Sequence, residues 1–142
     1  MRRIFSTLSV LALLQGCSTH TTSPSGCEAN FHTEGSLITG KRFSTSASLP
    51  KTSSDLAFKR LYTLLARDGY YIQSTDEKKG IISSYQNVNL SNKRAPLNAI
   101  VEKEGMGSRV SLVFVAAAGI YTPEAGASNE FCRIINEVEV SQ

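Results

Sequence analysis

Histidine is almost missing from this chain. It occurs twice, at His20 and His32, and both fall in a polar N-terminal stretch with little apolar content. The part expected to fold therefore offers no imidazole as general base or metal ligand. Other signs of chemistry are missing too. Ser83-Ser84 has no G-x-S-x-G context, so no nucleophile elbow is indicated. Gly105 and Gly107 precede a strand-like run rather than a helix, and no Lys-Ser/Thr pair follows them, which argues against a phosphate loop. The carboxylate pairs Glu102 with Glu104 and Glu137 with Glu139 lie near element or chain ends and read as solvated faces. Tyr62, Tyr70, Tyr71, Tyr85 and Tyr121 are read as amphipathic core edges ahead of pocket walls. No catalytic residue, metal site or cofactor is expected, and the chain is read as a non-enzyme. No apolar run reaches the ~18 residues that a membrane-spanning helix needs.

What is present begins with an address. Arg2 and Arg3 form a basic lead, and Ile4 to Leu14 is an apolar run broken only by Ser6, Thr7 and Ser9. That is a signal-peptide pattern. Leu14, Gly16 and Cys17 then stand at −3, −1 and +1 of a cleavage point. The stretch Leu13-Leu14-Gln15-Gly16-Cys17 resembles a bacterial lipobox, with Gln15 where a small residue is commoner. The resemblance implies a diacylglyceryl thioether on Cys17, cleavage between Gly16 and Cys17, and acylation of the new amine. Ser18 is not the Asp of an inner-membrane retention signal, so the implied destination is the outer membrane, on its periplasmic face. Two other readings of the leader stay open. One is a plain anchor or secretory signal with an incidental Cys; the other rests on Arg2-Arg3-Ile4-Phe5, which resembles part of a twin-arginine signal.

Cleavage changes the charge argument. The whole chain has 15 Lys+Arg against 12 Asp+Glu, and loss of Arg2 and Arg3 leaves 13 against 12. So slight an excess gives no footprint for a nucleic-acid partner. The 126 residues from Cys17 onward suit one domain. With Cys17 lipidated, Cys27 and Cys132 remain. In an oxidising periplasm they are a candidate disulfide; the alternative is a free, buried Cys132 and a loose Cys27.

The expected organisation is a signal peptide over 1–16, a flexible lipidated tether over 17–35 and one α+β domain over 36–142. Ser36 to Leu49 reads as a strand with Phe43, Thr45, Ala47 and Leu49 on one face. A helix spans about Ser54 to Asp68, capped by Ser53 or Ser54. Its stripe is Ala57, Leu61, Leu64 and Leu65, widened by Phe58, and Gly69 follows as the stop. Tyr70–Thr75 and Ile81–Gln86 form a hairpin, and Asn87 to Pro96 reads as a polar loop. Leu97–Lys103 and Arg109–Ala117 form a second hairpin. The run Val110 to Ala117 is apolar on both faces, which marks a central strand with its second face covered by another segment or a partner. After a loop from Gly119 to Ala127, a last helix capped by Ser128 or Asn129 carries Phe131, Ile134, Ile135 and Val138. The fold class is α+β: one antiparallel sheet of about five strands with two helices on one face, in the order β-α-β-β-β-β-α.

That order, with Ser54-Asp55-Leu56-Ala57-Phe58-Lys59-Arg60-Leu61, the turn Arg67-Asp68-Gly69-Tyr70 and the step Lys79-Gly80-Ile81-Ile82, resembles BamC-like helix-grip domains of envelope lipoproteins. The resemblance implies a non-catalytic envelope lipoprotein that binds proteins. The expected function is thus a lipid-anchored interaction or scaffold module, held to the membrane by its N-terminal lipid and bound to an envelope protein. The alternative is a periplasmic carrier holding a small apolar ligand between sheet and helices.

Overall fold

A computed structural model describes residues 26–88 and 93–140. The leader, the cleavage point and Cys17 lie outside the described residues. The elements are β1 (His32–Ser36), β2 (Gly40–Leu49), α1 (Ser54–Arg67), β3 (Tyr71–Asp76), β4 (Ile81–Val88), β5 (Lys93–Glu104), β6 (Gly107–Ala116) and α2 (Glu124–Val140). The strands form one sheet in the order β1-β2-β6-β5-β4-β3, with every neighbouring pair antiparallel. The architecture is α+β as expected. The strand count is six rather than about five, and the order is β-β-α-β-β-β-β-α.

The extra strand is β1. It occupies the end of the segment expected to be a flexible tether, so the described part of that tether, residues 26–35, is a turn followed by a strand. His-Thr-Glu-Gly-Ser shows no apolar alternation, because β1 is held by its backbone ladder to β2 and not by a buried face. Gly35, at φ 84°, meets Gly40 so closely that a Cβ there would collide with the Gly40 carbonyl oxygen. Only glycine permits both the left-handed backbone and that approach.

The next elements follow their patterns. Phe43, Thr45, Ala47 and Leu49 are all buried on the inner face of β2. Ser53 caps α1, its hydroxyl accepting from the Leu56 N–H, and Asp55 sits in the first turn, where the helix dipole favours a negative charge. Ala57, Phe58, Leu61, Leu64 and Leu65 point into the core. Full burial of one such leucine stabilises the fold by roughly 1.5–3 kcal/mol. Gly69, at φ 85°, ends the helix.

Two expected loops are shorter than the sequence suggests. Most of Asn87 to Pro96 is strand: β4 runs to Val88 and β5 begins at Lys93. Pro96 is tolerated because it pairs with Tyr85 of β4, while the β5–β6 ladder begins only at Leu97. Helix α2 starts at Glu124 and not near Ser128 or Asn129. The Pro123 carbonyl accepts its first bond, from Ala127. Pro123 sets the backbone for a helix start, and Gly126 disguises the first turn.

Both helices lie on one face of the sheet and pack against each other there. Phe31 stacks near Phe43 with centroids 6.1 Å apart and meets Phe131 edge-on at 6.1 Å, so the turn before β1 joins the core. Cys27 and Cys132 form a disulfide with Cα atoms 5.6 Å apart, closing a separation of 105 residues. Thr45 Oγ1 donates to the Cys27 carbonyl. No buried side-chain polar atom among the described residues lacks a partner.

Candidate functional site

Strand β6 does run through the middle of the sheet, and its outer side chains Val113 and Val115 are only half-buried. No described segment covers them: both helices lie against the opposite face, which buries Val110, Leu112 and Ala116. Of the two covers expected from sequence, another segment or a partner, the first is not found among the described residues. The outer face is the surface from which a site has to be built.

Register decides what lies on it. Ser44 of β2 faces Val113, and Arg42 faces Val115. Asn98 of β5 lies on the other side of Val113, and Ser83 of β4 follows next to Asn98. Small polar and β-branched side chains therefore make a low strip across the middle. At the far edge the strip rises. Tyr71 of β3 pairs with Tyr85 of β4, and their rings stack at 5.2 Å with an interplanar angle of 15°. The Arg94 guanidinium lies over the Tyr85 ring, 4.5 Å from its centroid, a geometry that attracts cation to ring face. Tyr71 remains 55% exposed despite the stack. Aromatic side chains and arginine are among the residue types enriched at protein interfaces.

The remaining tyrosines do not converge. Tyr62 is exposed on α1 and Tyr121 in the loop before α2. Tyr70 is buried on the inner side, where burial and then the nearby Glu130 push its hydroxyl up to about 12. It borders a crevice of about 170 Å³ together with Gln86, Phe114, Ala127 and Phe131. Ligand cavities typically run from about 300 Å³ upward.

Of the carboxylates singled out in the sequence, Glu104 and Glu137 sit in ion pairs, Glu139 lies near the end of α2, and Glu102 is exposed on β5 opposite Arg109. Glu104 accepts from Arg109 at 2.8 Å, and the hydrogen bonds from Arg109 and Ser48 hold it below the usual carboxylate range. Glu137 joins a clamp between the helices. Arg67 reaches it at 2.6 Å, and Arg133 reaches Glu137 at 2.6 Å, Asp68 at 2.6 Å and Glu130 at 2.7 Å. Arg60 caps the end of α2 through the Val138 and Glu139 carbonyls. His32 is exposed on edge strand β1, 3.5 Å from Glu34. Among the described residues, no group of three or more His, Cys, Asp or Glu is arranged to hold a metal ion, and no helix is long and apolar enough to cross a membrane. Of the sequence-selected site residues, Cys27 and Cys132 are brought together. Gly16 and Cys17 lie outside the described residues.

No protein-family model matches the chain, and no curated protein matches it. Solved structures similar to it include these two. One is a conserved protein of unknown function, EF2215 from Enterococcus faecalis, with TM-score 0.51 and 12% identity over 80% of this chain and 81% of that one. The other is Ara h 8.0201, with TM-score 0.43 and 8% identity over 69% of this chain and 94% of that one. At 12% identity, the likeness to the Enterococcus faecalis protein extends to the fold alone.

Proposed function

We propose that this protein is an envelope lipoprotein, anchored through lipid on Cys17 to the periplasmic face of the outer membrane. Its α+β domain acts as a non-catalytic module that binds another envelope protein. The anchor rests on the basic and apolar leader and on Leu14-Gln15-Gly16-Cys17. A disulfide between Cys27 and Cys132 fits an oxidising compartment. The observation that carries the binding role is the uncovered outer face, with Val113 and Val115 half-buried and the Tyr71–Tyr85 stack exposed at its edge. A monomer gains little core from these residues, so a partner that covers them explains their presence better than folding does. The carrier reading is less well supported. The crevice beside Tyr70 is about 170 Å³. A larger one of about 410 Å³, between Phe58 of α1 and Val101 of β5, is lined mainly by charged residues such as Glu77, Lys78, Glu102 and Lys103, a poor match for an apolar ligand.

Two measurements test the proposal. Cys17→Ser should stop processing at that bond and release the protein from washed membranes; unchanged processing and retention would overturn the anchor. A photo-crosslinking residue at position 71 or 85 should capture one reproducible envelope protein in cells, and Tyr62, exposed on α1, is the control position. Equal labelling at all three positions, or none at 71 and 85, would overturn the binding face.

A further inference from the structure

The two ends of the sheet differ in polarity. One end carries the β3–β4 and β5–β6 turns, and there Glu77, Lys78, Lys79, Glu102 and Lys103 line one crevice, with Met106 exposed in the β5–β6 turn. The other end carries the β1–β2 turn. Its apex is Leu37-Ile38, where a hairpin ordinarily places Gly, Asn or Asp. Leu37 is 48% exposed and Ile38 is 87% exposed. Neither side chain belongs to the core cluster. The turn is braced from below: the Ser36 N–H donates to Thr39 Oγ1 at 3.1 Å, and the Thr39 N–H donates to Ser36 Oγ at 3.2 Å. A second segment is hooked onto it. The Gly119 N–H donates to the Leu37 carbonyl at 2.8 Å, which fixes the Ala117-Ala118-Gly119-Ile120-Tyr121 loop at the same end. Tyr121 is 77% exposed. The charges nearest the turn are balanced: Lys41 pairs with Glu124 at 2.8 Å, and Arg42 faces Glu34 across the ladder. Arg94, near the start of β5 three strands from β1 at this end, lies over the Tyr85 ring.

We propose that this tip, Leu37 and Ile38 with Tyr121 beside them, dips into the interfacial layer of the bilayer that holds the lipid on Cys17. The proposal rests on the lipid-anchored reading above. The occupant follows from the chain that precedes the fold. The first described residue is Gly26, and the neighbouring Asn30 side chain donates to the Ser46 carbonyl of β2. Ser46 lies six residues from Gly40, or roughly 20 Å along a strand. Nine residue steps separate Cys17 from Gly26, a reach of about 30 Å. A lipid on Cys17 therefore keeps either end of the sheet within range of the bilayer, and polarity selects between them. The charged end stays wet. The apolar apex and the tyrosine match the boundary of headgroup and acyl chain, where an aromatic ring with a polar tip is favoured. So small a contact is too weak to hold a free protein. It becomes effective once a lipid has brought the membrane close, which is the arithmetic of a second, intramolecular binding event.

The chain has no tryptophan, so a single introduced indole reports its own surroundings. The full chain is purified with its lipid and placed in vesicles of phosphatidylethanolamine and phosphatidylglycerol that carry brominated acyl chains. Ile38→Trp and, as an independent position, Tyr121→Trp should lose most of their emission and shift it to the blue. Met106→Trp, at the wet end and 95% exposed in the parent chain, should keep its emission. Flotation of all three with the vesicles reports the anchor separately. Chains that float while the indoles at 38 and 121 stay unquenched, or while the one at 106 is quenched instead, overturn this proposal alone. Chains that do not float overturn the anchor, and this proposal with it.

Discussion

Arg133 donates to Asp68 at 2.6 Å, tying the middle of α2 to the residue that ends α1. Burial pushes the Asp68 carboxyl up, but hydrogen bonds from Arg133 and Arg67 outweigh it and leave the group below its usual 3.8. Glu137, bonded to Arg67 and Arg133, is held below its usual 4.5. Depressed carboxylates stabilise the fold fully above their unfolded values and lose that contribution as pH falls through the folded ones. The clamp should therefore be intact above the usual carboxylate range and lost progressively as pH falls below it. Arg133→Met should cost about 1 kcal/mol at neutral pH, since its partners are partly solvated. Thermal melts of parent and variant should converge as pH falls through that window. A gap that persists unchanged in acid would assign the effect to lost packing of the arginine stem.

Reduction should act on a different part of the fold. The Cys27–Cys132 bridge spans 105 residues, for which chain entropy allows roughly 4–5 kcal/mol, and measured values often fall to about 2–4. The double variant Cys27→Ser with Cys132→Ser should unfold at lower denaturant concentration, with the midpoint moved by that free energy. Mass spectrometry of the native parent after alkylation should find neither thiol modified until a reductant is added. Free alkylation of both would contradict the bridge.

Glycines with similar backbone angles should respond differently. Gly80, at φ 68°, accepts a hydrogen bond from the Val101 N–H through its carbonyl, and a Cβ there would strike the Val101 backbone. Gly105, at φ 61°, has open space around it. Alanine at either site meets the left-handed penalty of about 1 kcal/mol. Only Gly80→Ala should exceed it, by roughly 1–3 kcal/mol, with the β3–β4 turn displaced. Denaturant melts of the two variants compare these directly; equal losses would mean that the turn at Gly80 shifts freely.

What could be read from the sequence was whatever a buried face imprints on residue order. Helix α1 carries its core residues Ala57, Phe58, Leu61, Leu64 and Leu65 at helical spacing, and the inner face of β2 alternates cleanly from Phe43 to Leu49. Strand β1 left no such imprint. Its stability comes from backbone pairing with β2, which any sequence with the right glycines can provide. Phe31 was hidden for the same reason: a single aromatic in a polar stretch shows no period, yet it fills the corner between Phe43 and Phe131. At α2 the helix-starting geometry of Pro123 outweighed the capping signals of Ser128 and Asn129, which lie inside the helix.

The candidate surface was half legible. The two-sided apolar pattern from Val110 to Ala117 marked a central strand with something missing on one side, and Val113 and Val115 are where that something would sit. The Tyr71–Tyr85–Arg94 array was not visible. It depends on the register of β3 against β4, which shifts between Ile72 and Ser74, and on β5 beginning at Lys93 where a loop was expected. Pairing register is a property of two strands together and has no signature within either one.

The bridge at Cys27 also sets where a mechanical load would travel. A pull on the chain ahead of Gly26 meets Cys27 first and passes through sulfur into the middle of α2. The edge strand β1, which comes five residues later, is bypassed. Hydrogen bonds of an edge strand yield one after another when its end is peeled, whereas a helix gripped at its centre must be torn from the core as a whole. Tension on the chain ahead of Gly26 would thus bear on a helix seated in the core and spare the edge ladder.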